Sequence, residues 1–454
     1  MLVSTNPQNG RMLREYDETP AERVLEMIEA AHRSFLEWRR ASFDARGVVL
    51  KRVAELIKAE RQPLAELMAR EMGKPVRQGR AEAEKCAWVC EYYAEHAEGF
   101  LSPEAIATDA TQSYVAYEPL GVVLAIMPWN FPFWQVFRFA APGLMAGNAA
   151  LLKHAGNVSG CALAIEDLFA RAGAPVGLFR ALLVPASRVA SLIEHPRVAA
   201  VTLTGSTEAG RSVGGAAGRA LKPSVLELGG SDPYLVLEDA DLDAAARTCA
   251  EGRLVNSGQS CIAAKRFIVV EPVLEAFVER FVEAMRVKIL GDPMEERTDV
   301  GPQARRDLRD ELHAQVQKSL AGGARLVLGG TVPEGPGAFY PPTVLTEVTP
   351  GTPAYDEEIF GPVAAVISAR DEADAIRIAN DSKFGLGGAV FTRNVERGRR
   401  IAERDLDAGS CFVNASVRSD PRLPFGGIKE SGYGRELSVF GIREFVNVKT
   451  VYIA

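Results

Sequence analysis

The 454-residue sequence is short of the features that mark several large protein classes. Cysteine is scarce: Cys86, Cys90, Cys161, Cys249, Cys261 and Cys411 are the only six, with no C-x-x-C pair and no regular spacing. That excludes a disulfide framework and a zinc ribbon. The five histidines form no H-E-x-x-H or comparable cluster, so no metal is expected. Every long apolar stretch is interrupted by Gly, Pro or Asn, well short of the roughly eighteen apolar residues of a membrane span. The start, "MLVSTNPQNGRMLREYDE", lacks a basic segment followed by an apolar one, so no secretory leader is expected and the cytoplasm is the expected compartment. No Lys/Arg-rich run occurs and the net charge is -7, which argues against nucleic acid or an anionic membrane as partner. Tandem repeats and low-complexity linkers are also missing.

What is present suits a soluble protein of two or three domains: 47% hydrophobic and 24% charged residues in a chain too long for one core. Residues 20–40 and 45–73 carry apolar residues at i, i+3, i+4 and i+7, predicting long helices. "EKCAWVCEYY" puts Cys86 and Cys90 on one helix face, an apolar stripe rather than two metal ligands. From residue 112 strands begin with "QSYVAYEPLG" and "VVLAIMPWN". "NAALLKH", "LFRALLV" and "VAAVTLTGS" then alternate with the helical "GCALAIEDLFARAG" and "SRVASLIEHP". This βαβ rhythm predicts a parallel, doubly wound α/β sheet that binds nucleotides at its C-terminal strand ends. "LELGGSDPYLVLEDAD" interrupts it and marks a hinge, and a second strand–helix series runs from 265 to about 415. A lone alternating strand, "FVNVKTVYIA", closes the chain.

Four fragments bear on chemistry. In "NSGQSC", Cys261 stands among small polar residues, an exposed and reactive setting, whereas a packed cysteine sits among hydrophobes. In "LELGG", Glu227 ends an apolar strand before two glycines that let a ligand approach; partial desolvation there would raise its pKa into the range of a general base, the alternative being a solvated strand end. In "MPWNFP", Asn130 is either a turn residue or an amide donor to a developing oxyanion. "TLTGSTEAG" offers Gly205 and Ser206 at a strand-to-helix turn, yet it is neither G-x-G-x-x-G nor a Walker loop.

Taken in order, "MPWNFPFWQVFRFAAPGLMAGNAALLK", "TLTGSTEAGR", "LELGGSDPYLV", "NSGQSCIAAKR", "EEIFGPV" and "LPFGGIKESGYGRE" resemble the aldehyde dehydrogenase superfamily, over essentially the whole chain. "KHAGNVSGCALAIE" and "SDPRLPFGG" resemble its bacterial succinate-semialdehyde dehydrogenase branch. The resemblance implies a Rossmann-type dinucleotide-binding domain (1–104 and 118–229), an α/β catalytic domain (230–440) and oligomerisation strands (105–117 and 441–454). It implies a homodimer or homotetramer and a small aldehyde substrate. It gives Cys261 the role of nucleophile, Glu227 that of the base for thioester hydrolysis and Asn130 that of oxyanion donor. NAD or NADP would be bordered by Met127, Pro128, Trp129 and Leu228, with Lys153 and Gly156 near the adenosine ribose. Gly205 and Ser206 would meet the pyrophosphate, and Glu358 and Phe360 the nicotinamide ribose.

Gly156 stands where many NAD-using members carry a glutamate. The missing carboxylate leaves room for a 2′-phosphate, so NADP is slightly favoured and NAD stays open. Arg138 and Ser419 would hold a substrate carboxylate, Arg138 as a cation without a partner of its own. A second arginine used by some members is Val255 here, with Arg253 and Arg422 as substitutes. Two other readings stay open: release of an acyl-CoA or acyl phosphate, which needs no hydrolytic base, and a non-catalytic binding protein on the same scaffold.

Overall fold

The computed structural model describes residues 1–454. Four helices come early: Ala21–Trp38, Phe43–Ala59, Arg61–Met72 and Val76–Leu101. The periodic stretch 45–73 predicts one helix, but it breaks at Glu60 (φ -105°, ψ 15°). Pro63 supplies the reason, because its ring has no N–H and collides with the carbonyl four residues back, so a new helix must start. Cys86 and Cys90 are fully buried, as the apolar stripe predicts.

The βαβ segment builds a six-stranded sheet. Its central strand, Val122–Met127, pairs in parallel with Ala149–His154 on one side and Val198–Thr204 on the other. Phe179–Ala181 extends one flank and Ser224–Glu227 the other, both in parallel. The chain therefore winds outward from the central strand, returns, and winds the opposite way. That reversal opens a crevice at the C-terminal strand ends, where ligands of open α/β sheets bind.

After Glu227 the chain leaves this sheet, and at Pro233–Val236 it enters a seven-stranded one, so the crossover between the sheets falls at residues 228–232, within the segment read as a hinge. Pro233–Val236 lies in parallel between Arg266–Val270 and Gly387–Phe391. Leu235, Ile268 and Val390 point into one apolar cluster, and their neighbours Tyr234, Phe267 and Ala389 into another. The two-residue alternation of a strand thus buries both faces, as a parallel sheet requires. Gly432–Tyr433, within the range assigned to the catalytic domain, returns to pair antiparallel with Leu226 and Glu227 at the edge of the first sheet. Sheet membership thus crosses the boundary expected from sequence.

The terminal strand Val446–Ile453 pairs antiparallel with Gln112–Pro119, which also pairs with Glu104–Ala105. It forms one edge of this small sheet, with Val448 and Tyr452 exposed. No helix is long and apolar enough to cross a membrane.

Candidate active site

Cys261 follows a strained turn. Asn256, Ser257 and Gly258 all have left-handed backbones, with φ of 51°, 57° and 77°. Two consecutive non-glycine residues in that region cost energy and persist only where neighbours hold them. The Asn256 side-chain amide donates to the carbonyls of Asn130 (2.6 Å) and Gln259 (3.0 Å). The backbone N–H of Asn256 donates to Gln78 Oε1 at 2.7 Å, and Ser257 Oγ accepts from the N–H of Gly301 at 2.8 Å. Arg253 donates to the Gly258 carbonyl at 2.7 Å. Beyond the cysteine, Lys265 Nζ donates to the carbonyls of Ser260 (2.8 Å) and Cys261 (2.6 Å). The loop is clamped on both sides of the thiol, while the backbone N–H of Cys261 donates to nothing in the protein.

The thiol itself differs from the expectation of an exposed, reactive setting. Desolvation pushes Cys261 up to about 12, outweighing the attraction of Arg138 and Lys265. It is a neutral thiol until something removes its proton.

Glu227 ends its strand with its side chain 1% exposed, and neither carboxylate oxygen has a hydrogen-bond partner. Burial raises it to about 8, with Arg138 opposing and Glu436 adding to the rise. An orphaned buried carboxylate is costly, and it persists where a water or a reacting group uses it. Arg138 Nη2 lies 3.9 Å from Glu227 and donates to Thr204 Oγ1 at 3.2 Å, while Nε faces Glu436 in an ion pair. Phe425 lies under the guanidinium, 4.7 Å from ring centre to Cζ.

The expectation of Arg138 as a cation lacking its own partner is therefore corrected: Glu436, from the quoted motif "LPFGGIKESGYGRE", already neutralises it. The helix Trp134–Met145 that carries Arg138 is anchored by Glu82, which accepts from the N–H groups of Phe133 and Trp134 at 2.9 Å each. A carboxylate at a helix N-terminus is the favoured arrangement.

Asn130 is 4% exposed. Its side-chain nitrogen donates to the Gln259 carbonyl at 3.1 Å, and its oxygen accepts from Gln135 Nε2 at 3.0 Å. One N–H of the amide is thus fixed against the cysteine loop and the second is left to donate elsewhere.

A cavity of about 630 Å³ opens onto Cys261. Arg138 and Ser419 line it together with Lys85, Trp134, Phe425 and Val255, whereas Glu227 and Asn130 are not among the residues that line it. The two arginines considered as substitutes lie elsewhere. Arg253 is fully buried beneath the loop, and Arg422 is exposed and paired with Asp420 at 2.7 Å. Sequence reasoning passed over Lys85, hidden in a helix read for its cysteines, and Lys265, four residues beyond the thiol. It quoted Glu436 in a motif without giving it work.

Of the residues expected to hold a dinucleotide, Met127, Lys153, Gly205 and Leu228 stand at the C-terminal ends of the first sheet's strands or directly after them. Met127 ends the central strand and sits opposite His154, one residue after Lys153. Trp129 meets Phe360 edge to face at 5.8 Å. Gly205 and Ser206 lead into the helix Thr207–Arg219, and Ser206 caps it by accepting from the N–H of Ala209 at 3.2 Å. Such an N-terminus at the end of parallel strands suits a pyrophosphate. Leu228 packs on Gly210, where an added Cβ would fall 2.4 Å from its Cδ1. Glu358 accepts from the N–H of Gly230 at 3.0 Å and lies 3.3 Å from Lys265, which joins the EEIFGPV segment to the cysteine loop. Lys153 is held below its usual pKa by burial and has no acidic partner, and Gly156 opens a short turn beside Leu2. The donors, the helix end and the absence of a carboxylate beside Lys153 fit a nicotinamide dinucleotide, with or without a 2′-phosphate.

The chain belongs to the aldehyde dehydrogenase family, which matches residues 2–451. It is 48% identical over its full length to a probable succinate-semialdehyde dehydrogenase (NADP+) of Synechocystis, covering all of that protein. It is 48% identical to the NAD(P)+ succinate semialdehyde dehydrogenase Sad of Escherichia coli, over 99% of this chain and 97% of that one. The crystal structure of a Streptococcus pyogenes succinic semialdehyde dehydrogenase with NADP+ superimposes with a TM-score of 0.98 at 37% identity, each chain covered completely.

Proposed function

We propose that this protein oxidises succinic semialdehyde to succinate with NADP or NAD, through a thioester on Cys261. The observation that carries the reading is a cysteine that faces a cavity and feels the charge of a buried carboxylate without hydrogen bonds, Glu227. Full-length likeness to dehydrogenases named for that aldehyde supports the substrate.

An aldehyde has no leaving group, so a nucleophile must add before a hydride can depart. The Cys261 thiol, raised by burial, gives up its proton to solvent water, which leaves Glu227 for the hydrolytic step. The thiolate adds to the carbonyl carbon, and the new oxyanion is received by the Cys261 N–H and the second N–H of Asn130. A nicotinamide dinucleotide held at the crevice would supply the hydride acceptor that lets the adduct become a thioester on Cys261. Glu227 then takes a proton from water as that water attacks the thioester, releasing carboxylate and restoring the thiol. Arg138, between Glu227 and Glu436, keeps two buried acids from repelling each other. Met127, Pro128, Trp129, Leu228, Glu358 and Phe360 would position the nicotinamide half. Gly205 and Ser206 would take the pyrophosphate, and Lys153 and Gly156 the adenosine ribose.

The domain division 1–104 with 118–229, 230–440, and strands 105–117 with 441–454 belongs to the same reading, with Gly432–Tyr433 assigned to the first domain's sheet. So does a cytoplasmic homodimer or homotetramer assembled through the exposed edge of Val446–Ile453. The test is a panel of aldehydes, with and without a distal carboxylate, assayed with NAD and with NADP. Succinic semialdehyde should give the highest kcat/KM. A chain that prefers uncharged aldehydes would refute the substrate assignment.

A further inference from the structure

With Arg138 neutralised by Glu436, the cavity needs another counter-charge for a carboxylated substrate. Lys85 is the candidate that the geometry singles out. It projects from the helix Val76–Leu101 into the cavity that holds Cys261. Its ammonium forms no ion pair; its one protein hydrogen bond goes to Ser419 Oγ, at 2.8 Å. The remaining contact is the face of Trp134, with Nζ 4.2 Å from the ring centre.

The nearby acids are committed elsewhere. Glu82, one turn earlier on the same helix, pairs with Lys74 and the N–H groups of Phe133 and Trp134. Asp420 is held by the Nε and Nη2 of Arg422, at 2.9 and 2.7 Å. Burial pushes Lys85 down to about 8, with Arg138 adding repulsion and Asp420 and Glu82 opposing the shift. A desolvated ammonium without a counter-ion is costly, and a ligand carboxylate supplies what is missing. Lys288 and Arg418 also line the cavity, with Glu251 opposing them and Arg77 paired to Asp299 at 2.9 Å.

We propose that Lys85, together with the Ser419 hydroxyl, binds the carboxylate end of the substrate and so selects carboxylated aldehydes. This rests on the reading of the site as one for a carboxylated aldehyde. Because Ser419 accepts from Lys85, its own hydrogen is free to be donated. The ammonium keeps two further N–H groups, giving a two-point clamp with one charged and one neutral donor. A short substrate held there lies in the cavity that Cys261 also lines.

The experiment compares wild type, Lys85→Met and Lys85→Arg with succinic semialdehyde and with butanal. Protection of Cys261 from iodoacetamide by succinate gives a readout that needs no turnover. In Lys85→Met the ratio of kcat/KM for succinic semialdehyde over butanal should fall at least about tenfold, chiefly through KM, as for one lost charge-assisted hydrogen bond. Succinate should also lose its protection, and Lys85→Arg should recover part of both. Butanal turnover by the methionine variant reports that it has folded. A preference and a protection unchanged from wild type in Lys85→Met would overturn the role of Lys85 alone. Absence of any preference in the wild type would overturn the substrate reading and this proposal together.

Discussion

Replacing Glu227 by glutamine keeps the shape of the side chain and removes its basicity. The carboxylate is buried, lacks hydrogen-bond partners and is raised to about 8 by desolvation, the Arg138 guanidinium limiting the rise. Below that pKa it carries a proton and cannot act as a base. Its ionised share therefore grows from about a tenth at pH 7 to about nine tenths at pH 9. If thioester hydrolysis limits turnover, wild-type kcat should climb nearly tenfold over that interval. In Glu227→Gln this limb should disappear, and steady-state turnover should fall by about 10² to 10⁴, the usual range for a lost general base. The assay is rapid mixing with absorbance at the reduced-nicotinamide band. A burst in the variant would place the defect after hydride transfer, and a slow first turnover would place it at deprotonation of the thiol. Unchanged turnover, or a pH limb that survives the substitution, would refute the assignment.

Other perturbations separate chemistry from scaffold. Arg138→Leu leaves Glu436 and Glu227 buried without their shared cation, so stability should fall by about 3–5 kcal/mol in denaturant titration. Its activity losses should be equal for succinic semialdehyde and butanal; a loss confined to the carboxylated substrate would restore Arg138 as a direct contact. Gly258→Ala should cripple the site, because the turn has φ 77° and an added Cβ would sit 2.2 Å from the Gly361 carbonyl oxygen. A Tm within a degree or so of wild type with normal kcat would show the loop to be pliable. Gly156→Glu should lower kcat/KM for NADP relative to NAD, since a carboxylate there accepts from a 2′-OH and repels a 2′-phosphate. An unchanged ratio would remove residue 156 from the 2′ position.

Much of this architecture is legible in local pattern. Strand–helix alternation over residues 122–227 predicts the parallel sheet, because apolar runs at period two and helical runs at period 3.6 differ within a few residues. The break at Glu60 is less visible, since the apolar periodicity continues across it and only Pro63 signals the new helix. The return of Gly432–Tyr433 to the first sheet is a long-range pairing of two residues with no local signature. At the site, Cys261 and Glu227 stand out because small polar residues and glycines surround them. Arg138 was visible, but its state was not: Glu436 lies almost three hundred residues away, and only folding brings the two together. Lys85 was hidden for a related reason. A lysine on an amphipathic helix reads as solvated, and only tertiary packing reveals that it faces a cavity beside Trp134 and Ser419.

The most direct test of the central claim is to trap the covalent intermediate. Glu227→Gln would be mixed with succinic semialdehyde and NADP, quenched in acid and digested, and its cysteine-containing peptides weighed by mass spectrometry. A succinyl group on Cys261, and on none of Cys86, Cys90, Cys161, Cys249 or Cys411, is the predicted result. Reduced cofactor formed with no adduct on Cys261, or turnover that persists in Cys261→Ala, would contradict the thioester mechanism.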